Sequence, residues 1–299
     1  MEQNDDTLID PFPSGRISIE ESHQPTLTVL SGTDVGRVYP LEHGVSVVGR
    51  SPDVKVHIAH ESISRRHCEL TVRHDGQTLL RDLGSTNGTR VDQSNIERNA
   101  VKLDQGARIR LSKGVVLKFE FQDMLEREAR ADLYSHAVRD PLTGIHNKRF
   151  LSERLEHELA YAERHRSELC LLMFDLDHFK RINDSFGHES GDLVLVEVTR
   201  RVQQMLRAED VFARYGGEEF VVMMRSTPLT EAVTVAERIR AAIAARPVEA
   251  EAGPIPVTAS IGVSAFDPNQ PPSRQSLIAQ ADNRLYEAKE LGRNRVSSP

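Results

Sequence analysis

The sequence predicts a multidomain chain, an all-β sandwich followed by an α+β unit, and three observations carry that reading. The chain has 299 residues, enough for two ordinary domains with cores of their own. From about residue 26 to 121 the apolar residues fall in short β-type runs, punctuated by Gly, Asp and Asn at the spacing of a sandwich. Beyond residue 139 a short continuous apolar run is followed by a stripe at helical spacing.

Four segments follow. Residues 1–25 are polar, with Pro11, Pro13, Pro25 and a run of acids, and read as a flexible tail. Residues 26–121 carry the sandwich runs Leu27–Leu30, Val45–Val48, Cys68–Val72, Ala107–Leu111 and Val115–Phe119. Residues 122–139 form a charged helical linker with Leu125, Ala129 and Leu133 along one side. Residues 140–299 form the second domain.

Within that domain, Leu169–Phe174 is an apolar run consistent with a buried strand. It ends in Asp175-Leu176-Asp177-His178-Phe179-Lys180. A carboxylate at the exposed end of a buried strand is placed to hold a metal beside a phosphate. Asn183, Asp184 and Gly187-His188-Glu189-Ser190-Gly191-Asp192 come next, and Ser190 or Asp192 could cap a helix whose core stripe is Leu195, Val198, Val202 and Met205. Further on, Arg214-Tyr215-Gly216-Gly217-Glu218-Glu219 joins two apolar runs, as a tight hairpin would. Glycines admit a ligand close to the backbone, and the adjacent carboxylates offer hard oxygens to Mg²⁺. Strand alternation lets only one of Glu218 and Glu219 face a given site. By itself this loop is equally a polar hairpin tip with two solvated glutamates.

Composition excludes some classes. A net charge of −7 and a sequence pI near 6.0 give no push toward nucleic acid. No apolar stretch approaches the roughly 20 residues a bilayer span needs, and no signal peptide is visible, so a cytoplasmic protein with no membrane partner is expected. Cys68 and Cys170 read as reduced thiols.

Five motifs in order, across about residues 138–299, resemble the GGDEF family: Asp140–Arg149, Asp175–Lys180, Asn183–Asp192, the hairpin in its GGEEF form, and Ala288–Asn294. Ile145 and Lys148 depart mildly from the family's D-x-L-T-G-L-x-N-R pattern. The resemblance implies a nucleotide-cyclase-like fold, a central mostly antiparallel sheet flanked by helices. It implies a diguanylate cyclase that makes cyclic di-GMP and diphosphate from two GTP, with Mg²⁺ (or Mn²⁺) as cofactor and a homodimer in catalysis. Asp175, Glu218 and the Leu176 carbonyl would hold the metal, with Glu219 assisting and Glu218 also a candidate base. Asn183 and Asp192 would read guanine, with His188 in the same loop. The backbone around Phe179 and Lys180 would meet the phosphates, with Lys289 and Arg293 adding charge. Asp177 has a weaker claim. Arg207-Ala208-Glu209-Asp210 resembles the family's R-x-x-D inhibitory motif, which would bind product with help from Arg238; an i, i+3 ion pair closing a helix is the plainer reading.

In the first domain, Gly49-Arg50-Ser51, Ser64-Arg65-Arg66-His67 and Gly84-Ser85-Thr86-Asn87-Gly88 together resemble the forkhead-associated (FHA) domain, a reader of phosphothreonine peptides. Arg50 and Ser64 would take the phosphate oxygens, with Arg65 beside them, Thr86 and Asn87 would hold the peptide backbone, and His67 would brace the loops. A Ser/Thr kinase is then an implied partner. Thr7, in Asp5-Asp6-Thr7-Leu8-Ile9-Asp10, is a candidate phosphosite for that pocket, against an external phosphoprotein. The rival functions are an inactive GGDEF receptor for GTP or cyclic di-GMP, and a phosphopeptide-binding scaffold.

Overall fold

The structure, a computed structural model, describes residues 23–96, 99–267, 269 and 273–299. Eleven strands open the described chain: β1 (Gln24–Ser31), β2 (Val38–Pro40), β3 (Gly44–Gly49), β4 (Val56–His57), β5 (Cys68–Val72), β6 (Thr78–Asp82), β7 (Thr89–Val91), β8 (Ser94–Ile96), β9 (Val101–Lys102), β10 (Arg108–Arg110) and β11 (Val116–Gln122). They form two sheets, ordered β2-β1-β11-β10-β7-β8 and β4-β3-β5-β6-β9. Leu27, Val48, Leu70, Leu80, Leu117 and Phe119 fill the space between them, as in a β-sandwich. All five runs read from the sequence coincide with strands, although Ala107, Leu111 and Val115 fall just outside β10 and β11. The strands the sequence did not announce are two to five residues long, and most are too short to show an alternation.

Helix α1 (Met124–Val138) follows, capped by the Asp123 carboxylate on the Glu126 N–H. None of its residues is buried, and Leu125 and Leu133 stand in solvent. Next come β12 (His146–Asn147), α2 (Lys148–His165), β13 (Leu169–Leu176), α3 (Phe179–Phe186), α4 (His188–Gln203), β14 (Val211–Gly216) and β15 (Glu219–Arg225). The chain closes with α5 (Leu229–Ala244), β16 (Val248–Ala250), β17 (Gly253–Ile255), β18 (Ala259–Ala265), α6 (Arg274–Glu290) and β19 (Val296–Ser297). The central sheet runs β12-β14-β15-β13-β18-β19, antiparallel except for its two edge pairs.

All eight residues of β13 are buried, because helices cover both faces of the sheet. Cys170, Leu172 and Phe174 point to the side of α4 and α5; Leu169, Leu171 and Met173 point to α2 and α6. That alternation aims Asp175 to the α6 side. Helix α6 lies backbone-close to β18 at Gly262, where a Cβ would meet the Ala281 carbonyl at 2.1 Å.

The helix after the Gly-rich loop starts earlier than the sequence suggests. Neither Ser190 nor Asp192 caps it; α4 begins at His188 behind Gly187, which has φ +83° and no side-chain cap. A left-handed glycine lets α3 turn directly into α4 without a capping residue. Among the described residues no helix is long and apolar enough to cross a membrane.

Candidate functional site

The strand register builds the C-terminal site. Asp175 sits directly opposite Glu219 on the neighbouring strand, which puts both side chains on one face. The hairpin is tight, as expected, but its two turn residues are Gly217 and Glu218 rather than the glycine pair. A bulge between Arg214 and Gly216 shifts the register so that Gly216 pairs with Glu219. Glu218 therefore leaves the strand, and the limit set by alternation no longer separates the two glutamates. A Cβ on Gly217 would meet nothing within 4 Å, so the turn is open to a ligand.

Lys289, delivered by α6, reaches the Asp175 carboxylate at 3.0 Å. Burial pushes the Asp175 carboxyl up to about 6; Lys289 pulls it back, and Glu218 and Glu219 raise it further. A second cation beside these oxygens would therefore be strongly welcome. Among the described residues, no three His, Cys, Asp or Glu side chains gather to hold an ion by themselves. Mg²⁺ is commonly bound through one or two carboxylates plus substrate phosphates and water, and the hard oxygens of Asp175 and Glu218 fit that demand.

Asp177 has a structural occupation. It accepts hydrogen bonds from Thr258 Oγ1 (2.7 Å), Ser260 Oγ (2.7 Å) and the Asn294 N–H (3.0 Å). Arg293 and Asn294 both have positive φ, a costly conformation for residues with side chains, and Asp177 helps to hold it. Near the start of α4, Gly191 leaves room for Asn183: a Cβ there would lie 1.9 Å from Asn183 Oδ1. Asn183 is half-buried at the end of α3, while His188 and Asp192 are exposed in the first turns of α4. Phe179 is buried and can offer only backbone, whereas the Lys180 side chain is free in solvent.

Two residues quoted within motifs gain roles the sequence did not suggest. Arg214 donates to the Gly217 carbonyl at 2.8 Å and grips both oxygens of Asp140, at 3.1 and 3.2 Å. Asp140 also accepts from the Thr143 N–H and hydroxyl. The first motif thus braces the hairpin. Its signal was an aspartate and an arginine 74 positions apart, which no local pattern links.

The Arg207–Asp210 segment lies outside this site. The Asp210 carboxylate accepts from the Arg207 backbone N–H at 2.9 Å, while the Arg207 guanidinium pairs with Glu231 on α5. The expected i, i+3 ion pair is absent from this arrangement. Arg238 is on α5, with its guanidinium 3.9 Å from the Met205 sulfur.

In the sandwich, the three loops cross where the sequence placed them. A Cβ on Gly49 would meet the Arg65 carbonyl at 2.1 Å, so only glycine lets these loops touch; the Arg50 N–H donates to the Ser64 carbonyl at 3.0 Å. Ser64 and Thr86 hydroxyls stand 3.4 Å apart, and Asn87 donates to the Ser62 carbonyl. His67 is fully buried and takes the Ser64 N–H on Nδ1 while Nε2 meets the Gly88 carbonyl. Because a carbonyl only accepts, Nε2 carries the proton. Asp82, not singled out by the sequence, accepts from the Gly84 and Ser85 N–H groups and from the Ser85 and Thr89 hydroxyls. Arg65 is exposed, and Thr7 lies outside the described residues.

Comparison with known proteins agrees with both domain assignments. Residues 137–295 match the family described as diguanylate cyclase, GGDEF domain, and residues 46–112 match the FHA domain. Diguanylate cyclase DgcP of Pseudomonas aeruginosa is 44% identical over 179 residues, covering 58% of this chain and 26% of that protein. Response regulator PleD of Caulobacter vibrioides is 43% identical over 162 residues, covering 54% of this chain and 36% of its own length. The chain thus matches only about a quarter to a third of these relatives' lengths. Among solved structures, the coiled coil and GGDEF domain of DgcB from Caulobacter crescentus, in complex with c-di-GMP, superposes with a TM-score of 0.56 at 30% identity, covering 58% of this chain and 92% of that one. Diguanylate cyclase SiaD of Pseudomonas aeruginosa, in complex with its activator SiaC, gives 0.53 at 37% identity, covering 58% and 66%.

Proposed function

On the premise that the chain belongs to the diguanylate cyclase GGDEF-domain family, we propose that it converts two GTP into cyclic di-GMP and two diphosphates. The observation that carries this is Asp175 opposite Glu219 at the end of a buried strand, with Glu218 in the adjoining turn near enough to raise the Asp175 carboxyl and Lys289 paired with it. A ribose 3′-OH attacks the α-phosphate of a second GTP, a P–O bond forms as the bond to diphosphate breaks, and the hydroxyl proton is lost. Repetition closes the ring. One domain holds one GTP, so two copies of the chain must face each other.

Asn183 and Asp192 receive the guanine edge, the carboxylate accepting its ring N–H and amino protons. Lys289 and Arg293, with Lys180, neutralise the triphosphate. Arg214 keeps the hairpin closed over the reacting phosphates. Mg²⁺ held by Asp175, Glu218 and the Leu176 carbonyl, with Glu219 assisting, supplies stabilisation of the leaving charge and a more acidic 3′-OH. Arg207 and Asp210 bind product, with Arg238 nearby, and slow the enzyme as it accumulates. The FHA domain reads a phosphothreonine peptide through Arg50, Ser64, Thr86 and Asn87, with Arg65 at the rim, and so regulates the cyclase. The test is incubation with GTP and Mg²⁺, read by chromatography for cyclic di-GMP. Appearance of the product is expected; intact GTP after hours at micromolar enzyme overturns the reading.

A further inference from the structure

A cleft of about 400 Å³ runs between the two domains. Arg50 lines it from the sandwich, and Arg139, His146, Asp210 and Arg225 line it from the other side. A second cavity of about 290 Å³ shares the Arg139, His146 and Asp210 wall and extends to Arg207. The arginine expected to grip a phosphothreonine therefore faces the same space as the R-x-x-D segment.

The polar atoms in this space are incomplete. Asp210 Oδ1 and His146 Nδ1 are both buried and have no hydrogen-bond partner. The Arg50 guanidinium has no ion pair among those of the described residues. Arg139 gives one N–H to the Gly144 carbonyl and has others to spare. A ligand that completes this wall must present anionic oxygens to arginine and N–H donors to a carboxylate. Inorganic phosphate meets only the first demand. A guanine nucleotide meets both, and two adjoining cavities suit a ligand with two bases and two phosphates. Their sizes lie at or near the range of small-molecule sites.

Among the described residues, polar contacts join the domains around the cleft. Arg154 donates to the Ala59 carbonyl at 3.3 Å, Arg164 pairs with Glu61, and the His60 and His157 rings stand 6.1 Å apart. These come from the loop that also carries Ser64.

We propose that cyclic di-GMP binds across the two domains of one chain, Arg50 of the FHA domain contacting a phosphate of the product that Arg207 and Asp210 hold. The inference rests on the reading of Arg207 and Asp210 as the product site. It makes phosphothreonine and product compete for Arg50, so that a phosphopeptide relieves product inhibition by taking away one anchor.

The experiment is calorimetric titration of cyclic di-GMP into the full chain, as wild type, Arg50→Ala, Arg50→Glu and Arg207→Ala, each first checked by thermal unfolding. Expected are a roughly tenfold weaker affinity for Arg50→Ala, a greater loss for the charge reversal, and a loss for Arg207→Ala. Wild-type affinity in both Arg50 variants with weakened Arg207→Ala overturns the bridge and leaves the product site standing. Wild-type affinity in all three variants overturns the product site as well. In a second arm, a residue 1–14 peptide phosphorylated on Thr7 is titrated into wild type and Arg50→Ala. An Arg50-dependent peptide that leaves cyclic di-GMP affinity untouched shows the arginine serving phosphopeptide alone, which also overturns the bridge.

Discussion

The two proposed ligand sites of this chain are built on opposite electrostatic plans. In the FHA loops the structural polar groups already have partners: Asp82 receives four donors, and His67 is bonded at both nitrogens. Burial works to raise the Asp82 carboxyl, but the Ser85 and Thr89 hydroxyls and the loop N–H groups outweigh it and hold it low. In the GGDEF domain the same burial is not offset, and Asp175 rises to about 6 despite Lys289. On the proposed function, the loops that would recognise phosphopeptide are braced before a ligand arrives, whereas the site that would carry out phosphoryl chemistry is left short of positive charge, which substrate and metal would supply.

The largest effect that would sharpen this contrast is Glu218→Gln. It removes a charge at nearly constant volume, and cyclic di-GMP synthesis should fall by about two to three orders of magnitude with unfolding unchanged. Near wild-type turnover in a product assay breaks the metal-site assignment. Asp175→Asn should be as inactive, yet more stable. The folded-state pKa of about 6 lies above the ordinary carboxyl value of 3.8, so ionised Asp175 costs stability at pH 8. That cost fades as pH falls through 6 and is gone below 3.8. Calorimetric unfolding should show the mutant gaining up to about 3 kcal/mol at pH 8, and no gain at pH 3.5. A less stable mutant at pH 8 would contradict the charge-deficient picture.

In the sandwich the corresponding damage is mechanical. Gly49→Ala forces a methyl against the Arg65 carbonyl and should cost about 1–3 kcal/mol by denaturant unfolding, with phosphopeptide binding lost. Gly217→Ala, with open space around it, should leave stability within about 0.5 kcal/mol. Equal costs for the two would erase the difference between a packed recognition loop and an open catalytic turn.

A smaller effect is the pH dependence of metal use. Protons and Mg²⁺ compete for Asp175, so the Mg²⁺ concentration for half-maximal rate should rise as pH drops from 7 toward 5.5. A requirement flat across that range excludes Asp175 as a ligand. Smallest is Arg207→Ala, whose progress curves should no longer flatten as product accumulates; flattening like wild type would return Arg207 to its ion pair with Glu231.

Much of this was legible in the sequence because the signals are local. The apolar run at β13 reads as a strand buried on both faces, and the Gly-rich loops mark turns by residue type alone. Asp175 at the end of that strand and the hairpin glutamates were visible for the same reason. Less visible were Asp82, Arg214 and Asp140, whose work is to hold other residues, and Asp177, which looks in sequence like a second ligand but buttresses Asn294. The start of α4 was misjudged because Gly187 does by conformation what a capping side chain does by hydrogen bond.

What the sequence by itself determined is therefore the menu of elements and the chemistry each loop carries, since periodicity, turn residues and motif spacing are properties of neighbours along the chain. Only the tertiary structure decided that Asp175 faces Glu219, that Lys289 reaches it from α6, and that Arg50 and Asp210 line one cleft. Strand register and domain packing set those meetings, and both arise from burial summed over many residues, which no single segment encodes.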